Sequence, residues 1–133
     1  MDNQITYLNT DLDLKSGFDL HPLSIELSNY GLHSLHVTHC EDGFWYATFE
    51  TEQQHEQPET NIAEMVAAIE RLTEPHLSTW QSCVLREFNI GYDCGEKPWA
   101  FNQGLSNELL QRIAKIGASI RFTMYPDRSQ SKN

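Results

Sequence analysis

The alternation of side chains over residues 5–15 predicts a strand. Asn9, Asp11, Asp13 and Lys15 occupy the odd positions. The even positions are Leu8, Thr10, Leu12 and Leu14. A period of two is typical of a strand with one side in the core and the other in water.

A helical period follows the first strand. Its apolar positions are Leu20, Leu23, Leu27 and Tyr30, and this spacing places them on one face of a helix. Asp19 is placed to cap the start, Pro22 falls in the first turn, and Gly31 is placed to end the helix in a left-handed conformation. These signals predict the first helix between Asp19 and Gly31.

Two strand-like runs, residues 32–40 and 44–50, are separated by Glu41, Asp42 and Gly43. An Asp-Gly pair between such runs indicates a β-hairpin. The second and third strands should therefore be antiparallel neighbours. The acidic, glutamine-rich residues 51–60 predict a solvated loop after them.

The second helix is expected to begin at Asn61, because Asn61 and Glu64 have the spacing of a capping box. Apolar residues then recur at helical spacing as far as Leu72. Residues 73–82 fit either a further helical turn that starts at Pro75 or a loop, and the pattern does not separate the two.

A fourth strand is predicted over residues 83–92. Its even-numbered positions are the apolar or aromatic Val84, Phe88, Ile90 and Tyr92, except that Arg86 interrupts the pattern. The third helix is expected to be capped by Ser106 and ended by Gly117. The closing strand, residues 119–125, should direct Ile120, Phe122 and Met124 into the core.

The predicted order is β-α-β-β-α-β-α-β, which defines an α+β fold class. Its first six elements match the ferredoxin-like βαββαβ arrangement, an antiparallel sheet with helices on one face, and the last helix and strand extend it. The length of 133 residues suits one domain. We assign residues 1–126 to that domain and residues 127–133 to a polar flexible tail.

Charge narrows the classes of partner. Nineteen acidic and nine basic side chains give a net charge of -10 at pH 7, and the basic residues are scattered. Nucleic-acid binding requires clustered Lys and Arg side chains, so we expect no nucleic-acid partner. An acidic surface instead steers a basic protein partner toward it.

The N-terminal residues MDNQITYLNTD lack the basic and apolar regions of a secretory signal. No window reaches the roughly 18 apolar residues of a membrane span, so we expect no membrane association. Cys40, Cys83 and Cys94 contain no CxxC pair, which favours reduced thiols over a disulfide framework. We therefore expect a cytoplasmic protein.

The last third of the chain carries three short signals in order. They are Gly104-Leu105-Ser106 before the third helix, Ile116-Gly117-Ala118 at its end, and Tyr125 at the end of the last strand. In this pattern the chain resembles an uncharacterised family of small bacterial α+β domains. The resemblance implies a fold of this type and, for some such domains, an immunity-like or antitoxin-like role. It carries no catalytic motif.

His33, His36 and His39 have HxxHxxH spacing, which invites a metal-site interpretation. On a regular strand, however, His33 and His39 would stand roughly 20 Å apart on one face, with His36 on the other. Zinc requires ligands within roughly 2 Å of one point. We therefore predict no metal site, and since no phosphate-binding glycine motif occurs either, no cofactor.

Chemistry at Cys94 is a second hypothesis. A nucleophilic cysteine requires a base and a positive environment, whereas the charges near Cys94 are mainly those of Glu87, Asp93 and Glu96. A small-molecule-binding or hydrolytic domain would use Cys94, Asp93 and Glu87. The sequence leaves catalysis undecided and favours a protein without it.

The long irregular segment over residues 91–105 is the candidate binding loop, because connections in compact domains usually run about 4 to 6 residues. Its candidate residues are Tyr92, Asp93, Cys94, Lys97, Trp99, Asn102 and Gln103. One interpretation is structural: Trp99 and Phe101 pin the loop, and Asn102 and Gln103 bond backbone groups. The other is recognition of a protein partner, with Trp99 or Tyr92 as anchor. Self-association into a homodimer through a sheet edge is a third possibility.

Overall fold

The computed structural model describes residues 3–126, which form five strands and four helices. The α+β class is confirmed. The elements are β1 Thr6–Ser16, α1 His21–Asn29, β2 Leu32–His39, β3 Trp45–Thr51, α2 Pro58–Glu70, α3 His76–Ser82, β4 Leu85–Asp93, α4 Asn107–Lys115 and β5 Ser119–Tyr125. The ambiguous segment at residues 73–82 therefore contains helix α3. The predicted tail, residues 127–133, lies outside the described residues.

The strands form one sheet in the order β2-β3-β1-β4-β5. Strands β2, β3, β1 and β4 pair in antiparallel fashion, as the hairpin signal predicts for β2 and β3. Strand β5 pairs parallel to β4. The expectation of a purely antiparallel sheet is therefore wrong, because α4 carries the chain back so that β5 starts at the same end of the sheet as β4.

The core lies on one side of this sheet. On β1, the buried residues Thr10, Leu12 and Leu14 alternate with the half-exposed Asp11 and Asp13. Buried side chains of the helices join the same cluster, among them Leu23, Leu27, Ile62, Val66, Trp80, Leu109 and Ile113. The polar positions of β1 consequently face away from the core.

Register shifts alter the predicted alternation at two places. One lies between Tyr7 and Asn9 and the other between Ser34 and His36. Each shift adds one residue to its strand, and a single added residue reverses which face the following side chains occupy. Leu8, assigned to the buried face from the sequence, is the added residue of the first shift and is 40% exposed.

Helix α2 begins at Pro58, three residues before the predicted start at Asn61. Proline suits the first turn because it has no N–H to leave unpaired. Asn61 is buried, and its side chain donates to the Tyr7 hydroxyl at 2.7 Å and accepts from the His55 N–H at 3.0 Å. The capping-box prediction is therefore wrong, and Asn61 instead joins three segments of the chain.

Candidate functional site

The loop between β4 and α4, residues 94–106, is held against the N-terminal segment of the chain. The N–H groups of Glu96 and Lys97 donate to the Asn3 carbonyl oxygen at 2.9 and 3.2 Å. The Lys97 carbonyl in turn accepts from the Ile5 N–H at 2.8 Å. This part of the loop is therefore fixed by backbone hydrogen bonds.

Gly95 allows this close approach. A Cβ atom at Gly95 would lie 2.6 Å from the Asn3 carbonyl oxygen and 2.6 Å from the Gln4 carbonyl carbon. Both are backbone atoms, so any larger residue would push the two segments apart. Gly95 is therefore a closely packed position next to Cys94.

The aromatic residues of the loop have different roles. The Phe101 ring packs edge-on against Tyr92, with ring centroids 5.7 Å apart, and Tyr92 lies 5.8 Å from the Tyr7 ring. Trp99, by contrast, is 98% exposed. The structural interpretation therefore fits Phe101 and Tyr92, whereas Trp99 does not pin the loop.

Beside the loop, the core face of β5 borders an apolar groove of about 380 Å³. Its lining includes Ile5, Tyr92, Cys94, Phe101, Phe122 and Met124. Phe122 and Met124 are paired in register with the buried Ile90 and Tyr92, yet they are 57% and 56% exposed. The expectation that both side chains enter the core is therefore wrong, since the helices leave this edge of the sheet largely uncovered.

The polar candidate residues lie around the same region without forming one cluster. Gln103 lines the groove, and its Nε2 donates to the Gln57 side chain at 3.4 Å. Gln103 Oε1 and Asp93 Oδ1 are buried and accept no hydrogen bond from the described residues. Lys97 and Asn102 are exposed. The proposed backbone contacts of Asn102 and Gln103 are not observed among the described residues.

Cys94 and Glu87 lie on opposite faces of the sheet. Cys94 borders the groove, whereas Glu87 is paired with Asp13 on the other face and accepts from Arg121 Nε at 2.7 Å. The residues invoked for hydrolytic chemistry are thus not assembled around one point. Of the other thiols, Cys83 is buried, and desolvation raises its pKa to about 11.

The histidines of β2 occupy positions that differ from those expected. The register shift after Ser34 places His33 opposite Glu50 and His36 opposite Thr48, both on the polar face of the sheet. His39 stacks on Trp45, with ring centroids 4.5 Å apart. The predicted sharing of a face by His33 and His39 is therefore wrong. Among residues 3–126, no group of three or more His, Cys, Asp or Glu side chains is placed to hold a metal ion.

The polar face of the sheet is acidic at its centre. Asp11 and Asp13 lie on β1, between Glu50 on β3 and Glu87 on β4. Desolvation, followed by repulsion from Asp13 and Glu50, raises the pKa of the Asp11 carboxyl to about 6. Part of the net charge of -10 is therefore concentrated on one face.

No protein-family model, curated protein or solved structure matches this chain. The resemblance of its last third to small bacterial domains thus remains a prediction. In the described part of the chain, every helix is too short or too polar to cross a membrane.

Proposed function

We propose that this chain is a non-enzymatic protein-binding domain that recognises a basic protein partner through residues 91–105, which comprise the end of β4 and most of the loop that follows it. The 98% exposure of Trp99 carries this proposal. Of the two anchors considered from the sequence, Tyr92 is only 4% exposed and serves the core. Trp99 is therefore the anchor of this proposed site.

Burial of a tryptophan in an interface provides a large driving force. It removes about 150–250 Å² from water, which corresponds to roughly 4 to 6 kcal/mol before the costs of association. The backbone bonds from Glu96 and Lys97 to Asn3 hold the loop next to Trp99 in place. A fixed loop loses less conformational entropy on binding than a free one does.

Charge supports the choice of a basic partner. The net charge is -10, and Asp11, Asp13 and Glu50 lie on the polar face of the sheet beside Glu87, which is paired with Arg121. Such a field accelerates encounters with a positive surface and repels acidic competitors. An immunity-like role, in which the domain neutralises a basic toxin, fits this surface and the resemblance of the last third of the chain.

A capture experiment tests this proposal. The wild-type chain is compared at low and high salt with Trp99→Ala and with Phe18→Ala, which removes another exposed aromatic ring. We expect the wild-type chain to capture one basic partner at fixed stoichiometry. High salt and the Trp99→Ala substitution should each abolish this binding, whereas Phe18→Ala should still bind the partner. A partner retained equally by all three chains, or no stoichiometric partner, would contradict the proposal.

A second candidate function is binding of a small molecule in the groove of about 380 Å³. The observation that favours it is Gln103 Oε1, which is buried at the groove without a hydrogen-bond donor from the described residues. The ligand would be apolar with one N–H or O–H donor. A fragment screen by NMR would show shifts at Tyr92, Phe101 and Gln103, and shifts confined to other surfaces would exclude it.

We also propose that β1, α1, β2, β3, α2 and β4 form a ferredoxin-like unit. The order β2-β3-β1-β4 with antiparallel neighbours supports this assignment. Helix α3 is then an insertion, and α4 with β5 is the C-terminal extension. In this arrangement, the proposed binding loop connects the ferredoxin-like unit to the extension. An experimental structure with a different strand order would exclude the assignment.

A further inference from the structure

Strand β5 is an edge strand of the sheet, and within residues 3–126 no other strand pairs with its outer edge. Its seven residues pair with β4 without a register shift, whereas the opposite edge strand, β2, is interrupted after Ser34. Interruptions of this kind discourage further strand pairing. Phe122 and Met124 stand more than half exposed on β5, so the described part of the chain leaves apolar side chains uncovered at this edge.

The hydrogen-bonding direction of β5 can be read from one contact. The Tyr125 carbonyl accepts from the Cys94 N–H at 2.9 Å and therefore points toward β4. Since successive residues of a strand direct their N–H and C=O groups to opposite sides, the backbone groups of Ile120, Phe122 and Met124 point outward. The outward groups and the apolar side chains thus belong to the same three residues.

We infer that the protein forms a homodimer in which β5 pairs with β5 of a second copy in antiparallel orientation, centred on Phe122. In this register Phe122 faces Phe122 of the other copy, and Ile120 faces Met124. Each of these pairs exchanges two backbone hydrogen bonds. The two sheets become one continuous sheet, and the exposed apolar side chains bury each other beside the groove.

The charge distribution favours a second copy at this edge. Strand β5 has no acidic residue, and its one charged side chain, Arg121, is neutralised by Glu87 at 2.7 Å. Pairing centred on Phe122 places Arg121 opposite Thr123, so no two like charges face each other. The interface is small, on the order of 1,000 Å² in total, which suits a weak and concentration-dependent dimer.

Salt should have opposite effects on this dimer and on binding to the proposed basic partner. Two chains of charge -10 repel each other at long range, so screening strengthens the dimer, whereas it weakens binding to a positive partner. We expect the mass measured by sedimentation to rise from 15.3 kDa toward twice that value as the protein concentration increases. In high salt, this rise should begin at a lower protein concentration. A monomer throughout this titration would overturn the inference.

Variants test the edge itself. Phe122→Lys should weaken the dimer at least tenfold, and Leu35→Lys, a matched change at a 46% exposed apolar position of β2, should leave it unchanged. Circular dichroism checks that both variants fold, and Met124→Lys replaces Phe122→Lys if the latter does not. Equal dimerisation of the wild type and the β5 variant would overturn the inference, as would loss of the dimer in Leu35→Lys.

Cross-linking tests the register. Phe122→Cys brings two thiols to facing positions with Cα atoms about 5.5 Å apart, which a disulfide can bridge. Met124→Cys places them four residues out of register, about 14 Å apart along the strands. Mild oxidation should cross-link the first variant and leave the second at the background of the native cysteines. The reverse result, or capture of a foreign peptide strand in place of a second copy, would contradict this dimer.

Discussion

The Arg86 guanidinium donates from Nε to the Gly117 carbonyl oxygen at 2.8 Å, across 31 residues of sequence. Its Nη1 also lies within 2.7 to 3.2 Å of three carbonyl oxygens at the end of α3, those of Trp80, Gln81 and Cys83. One side chain therefore joins the ends of two helices to β4. This explains why a cation interrupts the apolar pattern of that strand.

Replacing Arg86 should destabilise the fold. Arg86→Leu removes several charge-assisted hydrogen bonds and leaves carbonyl groups without their donor, so we expect a loss of about 2 to 4 kcal/mol. The matched control is Arg112→Leu, because Arg112 forms an exposed ion pair with Glu70 that should contribute at most about 1 kcal/mol. Urea unfolding measures both variants, and equal losses would contradict the role of Arg86.

The Asn61 network should also contribute strongly to stability. Asn61→Ala removes the donor to the Tyr7 hydroxyl and the acceptor of the His55 N–H, and we expect a loss of about 2 to 4 kcal/mol. Asn102→Ala, at an exposed position, should change the free energy of unfolding by less than about 0.5 kcal/mol. A loss below about 1 kcal/mol for Asn61→Ala would contradict a strong contribution of these hydrogen bonds to stability.

The packing at Gly95 gives a third prediction. Gly95→Ala would place a Cβ atom 2.6 Å from backbone atoms of Asn3 and Gln4, so we expect a loss of about 1 to 3 kcal/mol as the loop shifts. Gly104→Ala, in the same loop, meets no atom of residues 3–126 within 4 Å and should be neutral or slightly stabilising. Thermal unfolding of both variants distinguishes a fixed loop from a free one. Identical midpoints would contradict the contact between the loop and the N-terminal segment.

Asp11 should make stability depend on pH. Its pKa is raised from 3.8 to about 6 by desolvation and by repulsion from Asp13 and Glu50. The folded chain therefore binds more protons than the unfolded chain between about pH 4 and pH 6, so this group favours folding at low pH and the benefit is lost as pH rises. Asp11→Asn should stabilise the protein at pH 7 by about 1 kcal/mol, after allowance for solvent screening, and lose this advantage below about pH 4.

Asp42 provides a control of opposite sign. Hydrogen bonds from the Tyr46 hydroxyl and the Phe44 N–H lower the pKa of its carboxyl. Its contribution to stability is present above the unfolded pKa and disappears on acidification. Asp42→Asn should therefore destabilise the protein at pH 7, and the difference from wild type should vanish in acid. Parallel pH profiles for Asp11→Asn and Asp42→Asn would contradict the pKa shift of Asp11.

Local patterns predicted the elements that depend on nearby residues. The alternation before Ser16 and the Asp42-Gly43 turn indicated a strand and a hairpin, and both occur. Ser106 caps α4 by accepting from the Leu109 N–H at 3.2 Å, as its sequence context indicated. These signals succeed because their interaction partners lie within a few residues in the chain.

Other features depend on distant contacts and escaped the sequence pattern. The position of β5 beside β4 follows from how α4 packs, and the shift after Ser34 adds a residue without any Gly or Pro to mark it. Asn61 and Glu64 matched a capping box, but Pro58 starts the helix earlier. A local motif is overridden when a distant, partly buried partner such as Tyr7 competes for the same side chain.

In the candidate site, too, the sequence predicted the local feature but not the one that depends on distant contacts. Sequence placed Trp99 and Tyr92 in one candidate loop but could not say which is exposed. That depends on Gly95 packing against Asn3, more than 90 residues earlier in the chain. The contact fixes the loop, Phe101 covers Tyr92, and Trp99 remains in solvent.

The affinity of the captured partner for Trp99→Ala tests the central claim most directly. Calorimetry with the purified partner compares the wild type, Trp99→Ala and Phe18→Ala. Truncation of an interface anchor costs about 2 kcal/mol or more. We therefore expect Trp99→Ala to bind at least about 30-fold more weakly than wild type and Phe18→Ala to bind like wild type. Equal affinity of Trp99→Ala and the wild type would contradict the account.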